Sequence, residues 1–102
     1  MKKIEVIKIR GFKKVIGLLG KKQPANLYFR TRFGIHTFGM KFPIDVVILD
    51  KKNAIVDLKC GLCPNRIFLW NPRYDKVLEL PNGFIVSSKI KIGSTIELFI
   101  SV

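Results

Sequence analysis

His36 is the chain's one histidine. Its imidazole titrates near neutral pH, so it is the natural proton-transfer group and a common metal ligand. Asp45 follows nine residues later at the head of an apolar run, and Glu79 lies inside a second apolar segment. One imidazole and two carboxylates make a general acid–base or metal constellation if the fold converges them. The plainer reading gives each a structural task. His36 then bonds backbone at a strand end, Asp45 caps a turn after Pro43, and Glu79 points to solvent. His36 and Asp45 flank the turn from Gly39 to Pro43. That predicts both side chains on one side of the domain, beside a surface depression.

Cys60-Gly61-Leu62-Cys63 is a single Cys-x-x-Cys. A closed structural zinc site takes four ligands, and one such pair with one histidine excludes a zinc ribbon within the chain. A site shared across a dimer, or completed by a carboxylate, is one use of the pair. Thiol–disulfide exchange is another. No βαβ unit of the thioredoxin kind precedes it, which favours two small, half-buried loop cysteines. No metal and no cofactor are expected. No Ser-His-Asp arrangement and no glycine-rich phosphate loop is visible.

Charge is the extreme feature. Nineteen lysines and arginines stand against seven acids, a formal +12. Residues 1–32 hold ten of those cations against Glu5 alone. Such a field attracts polyanions. Lys13, Lys14, Lys21, Lys22, Arg30 and Arg32 form the candidate nucleic-acid face. Aromatics interleave with cations at Tyr28, Phe29, Arg30, Arg32 and Phe33, and again at Phe68, Trp70, Arg73 and Tyr74. Small β-barrels hold single strands on such platforms. The opposing reading places the aromatics in the core, with Phe29 and Phe33 alternating inward, and ascribes the charge to solubility and composition.

The elements that must position these groups are mostly strands. Of the 102 residues, 48% are hydrophobic and 25% charged, which fits one folded domain over 1–102 and excludes a disordered tail. Strands are predicted at Ile4–Ile9, Leu27–Arg30, Ile35–Phe38, Val46–Leu49, Ala54–Leu58, Val77–Leu80 and Thr95–Ile100. Val46–Leu49 has no alternation, so it is expected to be covered on both faces. Asp50-Lys51-Lys52-Asn53 is turn chemistry for a hairpin. From Lys59 to Arg73 the pattern loosens. Phe12, Val15, Ile16 and Leu19 recur at helical spacing, and a helical turn fits Phe84–Ser88. The expected fold is mostly β, a β-rich α+β arrangement: a small barrel- or sandwich-like domain with one or two short helices. No segment has the apolar length of a membrane span, and the charged N-terminus lacks an apolar run behind it. A soluble, cytoplasmic protein is the expectation.

Two blocks carry a family resemblance. His36-Thr37-Phe38-Gly39-Met40 leads through Pro43-Ile44-Asp45 into Val46-Val47-Ile48-Leu49-Asp50, and Val77-Leu78-Glu79-Leu80-Pro81-Asn82-Gly83 is followed by Ile90-Lys91-Ile92-Gly93. With a weaker match at Gly17-Leu18-Leu19, the chain resembles the domain of unknown function 192 family over about residues 15–98. Gly39 stands where the family usually has Trp, and Ser94 where it usually has Asp, so any site built on those two is altered here. The resemblance implies a compact β-rich fold and no particular reaction. The expected function is therefore a small non-enzymatic module that binds a small ligand or a protein partner around His36, Thr37, Met40, Asp45 and Glu79. A nucleic-acid-binding barrel is the alternative, and a His/carboxylate enzyme stands third.

Overall fold

In the computed structural model, which describes residues 2–9 and 26–101, the run Val46-Val47-Ile48-Leu49 is the centre of the molecule. Consecutive apolar residues without alternation require cover on both faces. All six residues of the strand that contains them are buried. The strands in chain order are β1 (Lys2–Lys8), β2 (Leu27–Arg30), β3 (Gly34–His36), β4 (Ile44–Leu49), β5 (Ile55–Leu62), β6 (Ile67–Leu69), β7 (Lys76–Pro81) and β8 (Ile96–Ser101). One short helix, α1, spans Phe84–Ser87.

Six strands form one sheet in the order β5-β4-β7-β2-β1-β8. The pairs β4·β5, β4·β7 and β2·β7 are antiparallel, whereas β1 runs parallel to both β2 and β8. The β4–β5 hairpin turns as its residues predict. Asp50 Oδ1 accepts from the Lys52 and Ala54 amides at 2.8 and 2.9 Å, and Asn53 takes the left-handed conformation at φ 62°. The two outermost strands then meet at one corner. Ala54 bridges Thr95, the Ile55 amide donates to Ser94 O at 2.8 Å, and the Ile96 amide donates to Asn53 O at 2.9 Å. These bonds curl the sheet into a half-barrel.

The curl separates two cores. The inner core takes side chains from every strand of the sheet, among them Ile4, Tyr28, Val47, Leu49, Ile55, Leu78 and Ile96, and Ile85 of α1 plugs one end. The outer core lies under a two-stranded ribbon formed by β3 and β6, which lay Ile35 and Phe68 onto Phe29, Ile44, Val46, Ile48 and Val77, with Met40 and Trp70 alongside. Gly34 permits the ribbon's close pairing, because a Cβ there would stand 2.6 Å from the Phe68 carbonyl oxygen.

The fold is mostly β, as the sequence predicts, with specific departures. β5 runs on to Leu62 where the pattern loosens from Lys59, because Gly61 at φ 62° and a register shift against β4 form a bulge that keeps the ladder going. Cys60 and Cys63 are therefore exposed rather than half-buried, and Cys60 sits in a strand. Phe33 is 66% exposed instead of inward. The expected helix at Phe12–Leu19 lies outside the described residues. Among the described residues no helix is long and apolar enough to cross a membrane.

Candidate functional site

The residues of the His36–Asp45 motif hold the fold. Thr37 is fully buried. Its hydroxyl donates to Cys63 O at 2.7 Å and accepts from the Arg66 amide at 2.9 Å, which fastens the β5–β6 loop to the end of β3. Met40 is buried in the outer core. Asp45 is also fully buried, and both carboxylate oxygens are occupied. Oδ1 accepts from the Gly61 amide at 2.8 Å and Oδ2 from the Ile85 amide at 2.9 Å. The second bond is a long-range helix cap. Gly83, the N-cap of α1, supplies no side-chain bond of its own, so Asp45 satisfies an amide of the first turn from across the sheet. Asp45 thus caps backbone, although not the turn after Pro43 that its position suggests.

The pairing register separates the three ionisable candidates. Asp45 is opposite Leu80, an inner-core residue, whereas Glu79 is opposite both Val46 and Leu27 of the outer core. Directly paired residues share a face of the sheet, so the two carboxylates point to opposite faces. His36 sits on the ribbon beside inward-facing Ile35, which turns its ring away from the sheet. There its Nδ1 accepts from the Phe38 amide at 3.2 Å, and the two rings stack with centroids 4.9 Å apart. The structure does not bring His36, Asp45 and Glu79 together. Among the described residues no three His, Cys, Asp or Glu side chains are placed to hold a metal ion.

Glu79 is 2% exposed, not solvent-facing. Its Oε2 has no hydrogen-bond partner among the described residues. Burial disfavours the charged form and pushes its carboxyl from the ordinary 4.5 up to about 7.

A different set of residues surrounds a cavity. At the end of β4 away from Asp45, Leu49 pairs with Lys76, and Lys76 pairs with Arg30. All three therefore face the inner side of the curl, at the mouth opposite α1. The β4–β5 turn adds Lys51 and Lys52, and the segments beside β2 and β7 add Arg32, Arg73 and Tyr74. Together they line a cleft of about 610 Å³, within the range of small-molecule sites. Six cations line it against two carboxylates, Asp50 and Asp75.

Both carboxylates are already engaged. Asp50 holds the turn. Asp75 Oδ2 accepts from Arg30 Nε at 3.0 Å and Nη2 at 2.7 Å, and this carboxylate holds the Arg30 proton more tightly than usual. Arg32 is steadied by Nη1 donating to Pro72 O at 2.8 Å, and Lys76 Nζ by Asn53 Oδ1 at 3.1 Å. Arg73 lies 5.8 Å from the centre of the Tyr74 ring. The result is a preorganised positive mouth whose donors are only partly used.

Of the candidate nucleic-acid residues, Arg30 and Arg32 belong to this mouth. Lys13, Lys14, Lys21 and Lys22 lie outside the described residues. In the sequence alone Lys51 and Lys52 read only as turn residues, Arg73 and Tyr74 only as interleaved charge and ring, and Lys76 draws no notice. The signal that joins them is the register Leu49–Lys76–Arg30.

The same architecture occurs in solved structures. A protein of unknown function from Novosphingobium aromaticivorans DSM 12444 is 13% identical, superposes with a TM-score of 0.70, and is matched over 86% of this chain and 69% of its own. A protein from Sinorhizobium meliloti 1021, named as a proposed transcription regulator, is 16% identical with a TM-score of 0.67, over 86% of this chain and 74% of its own. At these identities the likeness is one of fold. No curated protein matches the chain. The family model for domain of unknown function 192, described as an uncharacterized ACR, matches residues 8–98, and the chain belongs to that family.

Proposed function

We propose that this protein is a non-enzymatic binding module whose ligand is an anion of several charges, held in the cationic mouth of the half-barrel. The observation that carries this reading is the lining itself. Six cations converge on one cleft, and both of its carboxylates are consumed by internal bonds. Arg32, and the edge of the Arg30 guanidinium that Asp75 leaves open, are suited to phosphate oxygens, and Lys51 and Lys52 add point charges. The residues around His36 support binding less well, because Thr37 and Asp45 have spent their polar atoms on backbone.

Titration calorimetry with inorganic tripolyphosphate tests the proposal. Binding weakens as salt rises. The pair Lys51→Glu and Lys52→Glu weakens it by about tenfold or more, the equivalent of one charged hydrogen bond. No binding at low salt, or equal binding by the variant, overturns the proposal.

A further inference from the structure

Phe33 is a bulky side chain in a conformation that such residues rarely adopt. Its φ is 75°, and the Gly34 amide donates to Arg32 O at 2.9 Å across it. That combination is the rare, strained form of the γ-turn rather than its common inverse. The turn is locked from the far side by the Trp70 amide, which donates to Phe33 O at 3.0 Å. The strain is not offset by burial, since the ring is 66% exposed. Strained residues of this kind concentrate at binding sites. Phe33 also follows Arg32 directly, and Arg32 lines the cleft.

The surface beyond Phe33 is of one character. The outer face of the β3–β6 ribbon carries His36, Ile67 and Leu69, with Phe38 half-exposed and stacked on His36. Neither 31–44 nor 58–74 contains an Asp or Glu, while Arg32, Lys41, Lys59, Arg66 and Arg73 fall within them. Exposed rings carried by chain segments that hold cations and no acids complement a strand of bases joined by phosphates. An acidic peptide would satisfy the charges but has no need of flat rings.

We infer that this protein binds single-stranded nucleic acid, with phosphates in the cationic mouth and bases stacked on Phe33 and on the Phe38–His36 pair. The inference rests on the reading of the cleft as an anion site and names its ligand. Base stacking on an exposed ring tolerates any sequence, so the predicted recognition is for single strands rather than for a particular order of bases.

Fluorescence anisotropy with a labelled oligothymidylate of about 12 nucleotides tests this, a length within the span one small barrel covers. Phe33→Ala weakens oligonucleotide binding by about tenfold, one stacked base's worth. Phe33→Trp restores it, and neither change alters tripolyphosphate binding. Phe38→Ala acts in the same direction. If tripolyphosphate binds but the oligonucleotide is insensitive to both alanine variants, the cleft reading stands and the inference falls. The inference also falls if a thymidine nucleotide, a duplex of equal charge or an acidic apolar peptide binds as tightly as the single strand. If neither tripolyphosphate nor the oligonucleotide binds, both readings fall.

Discussion

The two ends of β4 share one face of the sheet and are built for opposite purposes. At its start, Asp45 is buried with each carboxylate oxygen bonded to a backbone amide, and α1 closes the curl above it. At its finish, four residues on, Leu49 floors a cleft whose cations are held in place but still have donors to spare. Satisfied polar groups make structure, and positioned but under-satisfied charges make binding sites. The His36–Asp45 part of the family motif marks the closed end, whereas all six cations of the open end lie outside the two motif blocks.

The largest effect should come from breaking the closed end. Asp45→Ala leaves the buried Ile85 amide and the part-buried Gly61 amide without their acceptor. At about 1–3 kcal/mol for each orphaned donor, a loss of about 3 kcal/mol or more is expected in urea unfolding. Asp45→Asn, which keeps one acceptor, should lose less. If Asp45→Ala unfolds with an unchanged midpoint, the plug at that end is not held as described.

Glu79 gives an effect of similar size that depends on pH. Its carboxyl pKa is raised in the folded protein, from 4.5 to about 7. The folded state therefore keeps a proton that the unfolded chain has released between those values. The associated stability is fully present below about pH 4.5 and is lost as pH rises through about 7. The total is about 3 kcal/mol at roughly 1.4 kcal/mol per pH unit. Glu79→Gln should flatten this slope and leave the variant more stable than the native protein at pH 8. A parallel pH profile for the two would show that the Glu79 carboxyl is not buried alone.

Thr37→Val should cost about 1–2 kcal/mol, since its hydroxyl serves both Cys63 O and the Arg66 amide. The smallest change belongs to the open end. Lys51→Glu with Lys52→Glu should shift stability by no more than about 0.5 kcal/mol, as for exposed sites generally, while weakening anion binding by about tenfold or more. A large stability loss there would make the cleft part of the fold's support and erase the contrast between the two ends.

Local pattern carries much of this fold. The unbroken run at Val46–Leu49 announces a doubly covered strand, and Asp50 to Asn53 announce the hairpin turn. What local pattern misses depends on pairing between distant segments. Asp45 stands out, but its acceptor role becomes visible only with Gly61 and Ile85, which lie 16 and 40 residues away. Glu79 interrupts Val77-Leu78 and Leu80, and alternation puts it in water if one face of the sheet is solvated. The ribbon and outer core make both faces dry. Phe33 falls in phase with Phe29 on a continuing strand, but the γ-turn breaks that phase and exposes the ring. The cationic mouth is half legible, in Arg30 and Arg32, because no single stretch of sequence contains the register that sets Lys76 beside them.

Backbone amide NMR during a tripolyphosphate titration tests the central claim most directly, because it locates the ligand. Shift changes are expected to concentrate at Arg30, Arg32, Lys51, Lys52, Arg73 and Lys76, with His36, Thr37, Met40 and Asp45 unmoved. Changes centred on His36 to Asp45, with the cleft residues silent, would contradict the assignment of the open end as the binding site.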